Sequence, residues 1–152
     1  MRKMIVSLLA LALLFPALAV AEERATTQDA ERLVHKAVEF LKKEGKEKAL
    51  PIFSDPKGAF TYRDLYIFAI DWKGVILAHG TKKELIGKND FNRKDSTGKL
   101  FTQDMIKIAQ SDGKGWMQYE FENPVTKAID TKVAYFERVD DFLIGCGAFK
   151  KK

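Results

Sequence analysis

The reading of this chain turns on residues 64–80, DLYIFAIDWKGVILAHG. Aromatic and β-branched side chains dominate DLYIFAID (64–71), WKG (72–74) reverses the chain, and VILAHG (75–80) runs back, a hairpin pattern. Successive side chains of a strand point to opposite faces of its sheet. Here both alternating sets are apolar: Tyr66, Phe68 and Ile70 on one side, Leu65, Ile67 and Ala69 on the other. A strand apolar on both sides belongs to a sheet that is covered on both faces. The rest of the chain must therefore supply two covering layers.

The first lies upstream. Ala30, Leu33, Val34, Ala37, Val38 and Leu41 recur at three- and four-residue steps, which predicts an amphipathic helix from Thr27 to Glu44. Thr26 or Thr27 can cap its start, Lys42 and Lys43 suit its negative end, and Gly45 offers a stop. The stretch from Gly45 to Tyr62 carries Pro51, Pro56 and Gly58 among apolar residues and is expected to be a packed connector with short, broken structure. The second cover falls to Thr81–Lys114. Its polar run KKELIGKNDFNRKDSTG (82–98) precedes LFTQDMIKIAQ (100–110), whose Phe101, Met105, Ile106 and Ile108 suit a short helix on a core. GWMQYEFEN (115–123), TKVAYFERV (131–139) and FLIGCGAF (142–149) read as further strands, giving an α+β fold with about five antiparallel strands.

Residues 1–21 have the basic start, short apolar run and small-residue end of a secretory leader, with cleavage expected after Ala21. The expectation is a periplasmic or secreted protein with no membrane span once the leader is removed. No cysteine near Ala21 is available for a lipid. The remainder has the length of one domain. Its single cysteine, Cys146, lies in an apolar strand and reads as a buried thiol without a disulfide partner. The formal charge of +5 falls to about +3 without Arg2 and Lys3, and the remaining lysines alternate with acids, a pattern that does not read as a nucleic-acid surface.

No concentrated set of nucleophile, base and orienting group stands out. The two histidines, His35 and His79, are far apart in sequence, and GKG (113–115) precedes a strand, so it reads as a turn and not a phosphate loop. His35 sits on the flank of the helix stripe and is assigned no chemistry. No metal, cofactor or catalytic residue is expected. What remains are His79, Tyr119, Lys132 and Tyr135, polar groups inside apolar strands, where burial is costly unless a partner or ligand satisfies them.

The run Tyr66–Phe149 resembles a single Cache domain of the small type, the sensor module of bacterial chemoreceptors and kinases. The resemblance is carried, in order, by YIFAID with its KG turn, VILAHG, ELIGKN, KDSTGKLF, GKGWMQYEF, TKVAYFERV and IGCGAF. The glycine-rich run that usually precedes the tryptophan is thinned here to GKG. The resemblance implies a PAS-like fold: residues 22–64 form a long helix and connector, and residues 65–150 form a sheet with a pocket roofed by the middle segment. It also implies a small-molecule ligand, often a short carboxylate, touched by residues drawn from Phe68, His79, Trp116, Tyr119, Lys132 and Tyr135. Alternation places Lys132 and Tyr135 on opposite faces of one strand, and Trp116 and Tyr119 on opposite faces of another. About half of these six are therefore expected to face the helix instead; Tyr135 and Tyr119 rank first.

The chain ends a few residues after the last strand. The expected protein is a free binding module that presents its ligand to a separate membrane receptor or kinase, or forms a homodimer through helix 27–44. Two other readings compete: an interaction module with a filled core and no pocket, and an enzyme, which would need a perturbed pKa at Lys132, His79 or a carboxylate.

Overall fold

The computed structural model describes residues 24–150, so the leader expected over residues 1–21 lies outside the described residues. Helix α1 runs Thr27–Glu44. Thr26 caps it reciprocally with Asp29: the Thr26 hydroxyl accepts the Asp29 N–H at 3.1 Å, and the Asp29 carboxylate accepts the Thr26 N–H at 2.8 Å. Ala30, Val34, Ala37, Val38 and Leu41 form its buried stripe. Gly45, at φ 83°, ends it.

The connector holds more regular structure than its prolines suggest. Helix α2, Lys46–Phe53, contains Pro51 and still completes two turns, burying Ala49 and Phe53. Proline forfeits one backbone hydrogen bond, and a helix this short has few to lose. Phe53 meets Phe60 edge-on at 4.8 Å, and Phe40 of α1 closes the trio. Packing has overridden propensity there.

A two-stranded ribbon, β1 (Thr61–Tyr62) and β2 (Leu65–Tyr66), leads into the main sheet. That sheet comprises β3 (Phe68–Asp71), β4 (Ile76–His79), β5 (Lys114–Glu122), β6 (Ile129–Val139) and β7 (Phe142–Phe149). All its pairings are antiparallel, in the order β4-β3-β7-β6-β5. Five strands and two covered faces match the α+β reading.

Each face carries its own core. Leu65, Ile67, Ala69, Tyr135, Ile144 and Cys146 pack under α1 and α2. Phe68, Ile70, Met117, Tyr119, Phe136, Leu143 and Phe149 pack under helix α3 (Phe101–Asp112). Cys146 is buried and free, and burial pushes its thiol up to about 12.

Residues 81–100 form the rest of the roof, and they are tied to the sheet at both edges. On β4, the Ile76 N–H donates to Lys88 O and the Gly87 N–H to Ile76 O, at 3.0 and 2.8 Å. On β5, Asp95 acts as a peg. One carboxylate oxygen accepts the N–H groups of Thr97 and Lys99, and the other accepts that of Glu120 at 3.0 Å. These bonds outweigh burial and hold the Asp95 carboxyl down to about 2. The hairpin turn supports the same roof. Gly74 lies at φ 83°, and a Cβ there would stand 2.8 Å from the Phe91 backbone.

A buried lysine in an aromatic cavity

Lys132 lies on β6, the strand next to the sheet edge, between Tyr119 on β5 and Phe149 at the end of β7. Its register puts it on the α3 side with Ala134 and Phe136. Only 1% of it is exposed. Its stem lies over Gly147, where an added Cβ would come within 2.7 Å of Lys132 Cε. Glycine at that position is what lets a long side chain lie flat between sheet and roof. Gly145 does the same for Phe68, whose ring occupies the space a Cβ would take, at 2.3 Å.

The ammonium has rings for neighbours instead of a counter-ion. Nζ stands 3.9 Å from the centroid of Tyr66, 5.2 Å from Phe68, and 5.4 Å from both Phe121 and Phe149. Among the described residues no carboxylate lies within ion-pair distance of it. Cation–π contacts recover part of the lost hydration. Burial nonetheless dominates and brings the Lys132 ammonium down to about 7, with the field of Cys146 and Asp64 pulling the other way.

His79 is paired with Phe68 across β3 and β4 and stacks on Tyr66 at 4.7 Å. Its Nδ1 accepts the backbone N–H groups of Lys82 at 3.1 Å and Thr81 at 3.4 Å. A ring nitrogen that accepts is unprotonated, so a neutral ring carries its proton on Nε2 and offers a donor there. Burial, followed by the charge of Lys132, takes the His79 pKa down to about 3, so the ring is neutral across the physiological range. Burial also raises the Tyr66 and Tyr119 hydroxyls, which therefore keep their protons.

These groups converge on one cavity, which leaves about 20 Å³ for the centres of water-sized molecules. That is room for about one water molecule. Ile70, Ile76, Met105 and Phe101 complete its apolar wall, the Phe101 ring lying parallel to Tyr119 at 4.5 Å. At its mouth the roof contributes Asp90 and Arg93, paired at 3.3 Å. The Arg93 guanidinium covers Phe121 at 4.9 Å, and Asp90 accepts the Thr102 hydroxyl at 3.1 Å. The lining thus holds two cations and one carboxylate, and its interior presents donors.

Four of the six residues named from the sequence line this cavity: Phe68, His79, Tyr119 and Lys132. Tyr135 and Trp116 do not, against the sequence expectation that puts Tyr135 first together with Tyr119. Both lie on the opposite face, for the reason alternation supplies. Tyr135 belongs to the core under α1 and donates its hydroxyl to Glu137 at 2.6 Å, beside His35, whose Nε2 is 2.9 Å from the same carboxylate. Trp116 is its cross-strand neighbour and is 42% exposed. Tyr66, Phe121, Asp90 and Arg93 were not named. Tyr66 shares Phe68's strand parity and was legible; Asp90 and Arg93 sit in an irregular loop without periodicity.

A cavity roofed by an irregular segment on one face of a five-stranded antiparallel sheet, with a long helix on the other, defines a PAS-like sensing module. The chain belongs to the single Cache domains: the family model Single Cache domain 2 matches residues 17–151. Single Cache domains are extracytoplasmic sensing domains. The fold is shared with a methyl-accepting chemotaxis protein from Vibrio parahaemolyticus RIMD 2210633, at 24% identity and TM-score 0.69, over 80% of this chain and 86% of that one. A Cache chemosensory domain whose structure explains carboxylic acid recognition aligns at 19% identity and TM-score 0.64, over 82% and 88%. The periplasmic sensor domain of a chemotaxis protein aligns at 17% and 0.63, over 82% and 90%. A comparison with curated proteins finds no match. No helix among the described residues is long and apolar enough to cross a membrane.

Proposed function

We propose that this protein senses a monocarboxylate of two or three carbons outside the cytoplasm and passes the signal to a separate membrane receptor or kinase. One observation carries the reading: Lys132 is a buried cation with no counter-ion among the described residues, facing a cavity. An uncompensated buried charge is expensive, and a ligand carboxylate would supply the missing partner together with the donors of Tyr119 and His79. The lining supports one negative charge rather than two. Arg93 is already matched by Asp90, which leaves Lys132 as the unmatched cation. With room for about one water molecule the cavity is smaller than any of these acids, so binding requires the roof to move outward, by least for the shortest acids. The carboxylic acid recognised by the similar chemosensory domain is consistent with this class.

Titration calorimetry with acetate, propionate, succinate and ethylamine tests it. Binding of the two monoacids, with no heat from the amine and little from succinate, is the expected result. Silence from all four, in a protein that melts cooperatively, would overturn the ligand reading. The modest cavity would then belong to the rival, a periplasmic interaction module with a filled core.

A further inference from the structure

Lys132 has a second chemical capacity that an arginine in its place would lack. A lysine held in an apolar, water-poor site beside a cavity has the setting in which its amine becomes a nucleophile toward carbonyl carbon. Nothing among the described residues ties Nζ down: it makes no ion pair, and its neighbours are the rings of Tyr66, Phe68, Phe121 and Phe149. Those rings favour any cation at that point, and an iminium is a cation.

We propose that the cavity takes small carbonyl compounds, aldehydes or 2-oxo acids, and holds them as a reversible imine on Lys132 Nζ. This inference rests on the cavity being the ligand site proposed above. The lone pair of the neutral amine adds to the carbonyl carbon, and the carbonyl π pair moves to oxygen. Both amine hydrogens leave with that oxygen as one water, and the imine nitrogen takes a proton from solvent. No oxidant or reductant is consumed. The lowered ammonium pKa supports the step, because half of the amine is free near neutral pH. A simple acid, which has no electrophilic carbonyl, binds Lys132 only as an ion pair.

Reductive trapping of the full chain tests this. Pyruvate or propionaldehyde is added with sodium cyanoborohydride at pH 7, and the modified lysines are mapped by peptide mass spectrometry. Lys132 should be labelled about tenfold or more faster than exposed lysines such as Lys42 and Lys107, since a lowered pKa frees the amine and costs only part of that gain in nucleophilicity. Propionate should suppress labelling at Lys132 alone. Labelling of Lys132 no faster than of the exposed lysines overturns the inference. If propionate still gives binding heat in that case, the carboxylate site stands and only the covalent step fails; if it gives none, both fail. The wild-type competition needs no variant, so misfolding of Lys132→Met would not obscure the result.

Discussion

A single side chain sets the conflict between stability and use in this molecule. Lys132 is charged when unfolded up to its ordinary 10.5 and in the fold only up to about 7. Between those values the unfolded chain binds the extra proton, so stability rises with pH. At ~1.4 kcal/mol per unit the effect amounts to several kcal/mol. His79 acts in the same direction lower down: its folded pKa of about 3 removes stability as pH falls below 6.5. Above pH 9 the raised Cys146 thiol works the opposite way, so the clean window is pH 7 to 8.5. The melting temperature of the wild type should climb across that window, whereas Lys132→Met should show little slope. At pH 6 the variant should be more stable by about 1–4 kcal/mol and should bind no acid. A variant less stable than wild type at pH 6 would show that the ring cage compensates the charge fully. The same site predicts proton-linked binding. A carboxylate requires the ammonium, so the dissociation constant of propionate should rise about tenfold per pH unit above 7, measured by calorimetry. A constant affinity from pH 6 to 9 would mean that Lys132 does not face the ligand.

At the scale of elements, the roof is tied to β4 by several backbone bonds, but on the β5 side it hangs on few contacts and should be separable there. Asp95 alone pegs residues 95–99 to the Glu120 N–H of the edge strand β5. Asp95→Ala should cost about 1–2 kcal/mol, while α1 and its face of the sheet stay intact. The amides of Thr97, Lys99 and Glu120 should exchange faster, and propionate affinity should fall because Arg93 and Asp90 lose their support. Unchanged exchange at Glu120 would remove Asp95 from this role. How much of this was legible in the sequence differs by element. The periodicity of Ala30 to Leu41 located α1 and left its cap between Thr26 and Thr27, and the hairpin at 64–80 located β3 and β4, because patterns of period 3.6 and 2 are strong over such lengths. Helix α2 was hidden by Pro51, since its stability comes from the Phe40–Phe53–Phe60 cluster and not from its own composition. The phase of β5 and β6 was also hidden. Tyr119 and Lys132 share a face with each other, as do Trp116 and Tyr135, but both sets are hydrophobic enough to be buried, and only the position of α1 decides which looks into the cavity. The Asp90–Arg93 pair had no periodic signal at all.

Across the whole molecule, the cavity lies one residue from the point where the segment before α1 meets the end of β7. Lys132 is in register with Phe149, the next amide, Lys150 N–H, donates to Thr131 O at 2.9 Å, and Lys150 O accepts a hydrogen bond from the Arg24 guanidinium at 3.1 Å. Arg24 also stands 3.9 Å from the Asp130 carboxylate, two residues before Lys132. A ligand that pulls on Lys132 therefore acts on β6 and β7 where those strands meet the segment before α1. Coupling of this kind requires that ligand binding and the clasp bias the same element. Hydrogen exchange reads it directly: propionate should slow exchange at Lys150 and Thr131 in the wild type. In Arg24→Ala the Lys150 amide should exchange several-fold faster without ligand, and propionate should restore less of the protection. The cavity itself is untouched by that substitution, so affinity should change by no more than about twofold to fivefold, the scale of modest coupling. Equal protection of Lys150 by propionate in both proteins would show that this clasp does not sense the site, and the signal would then have to leave through α1 or the roof.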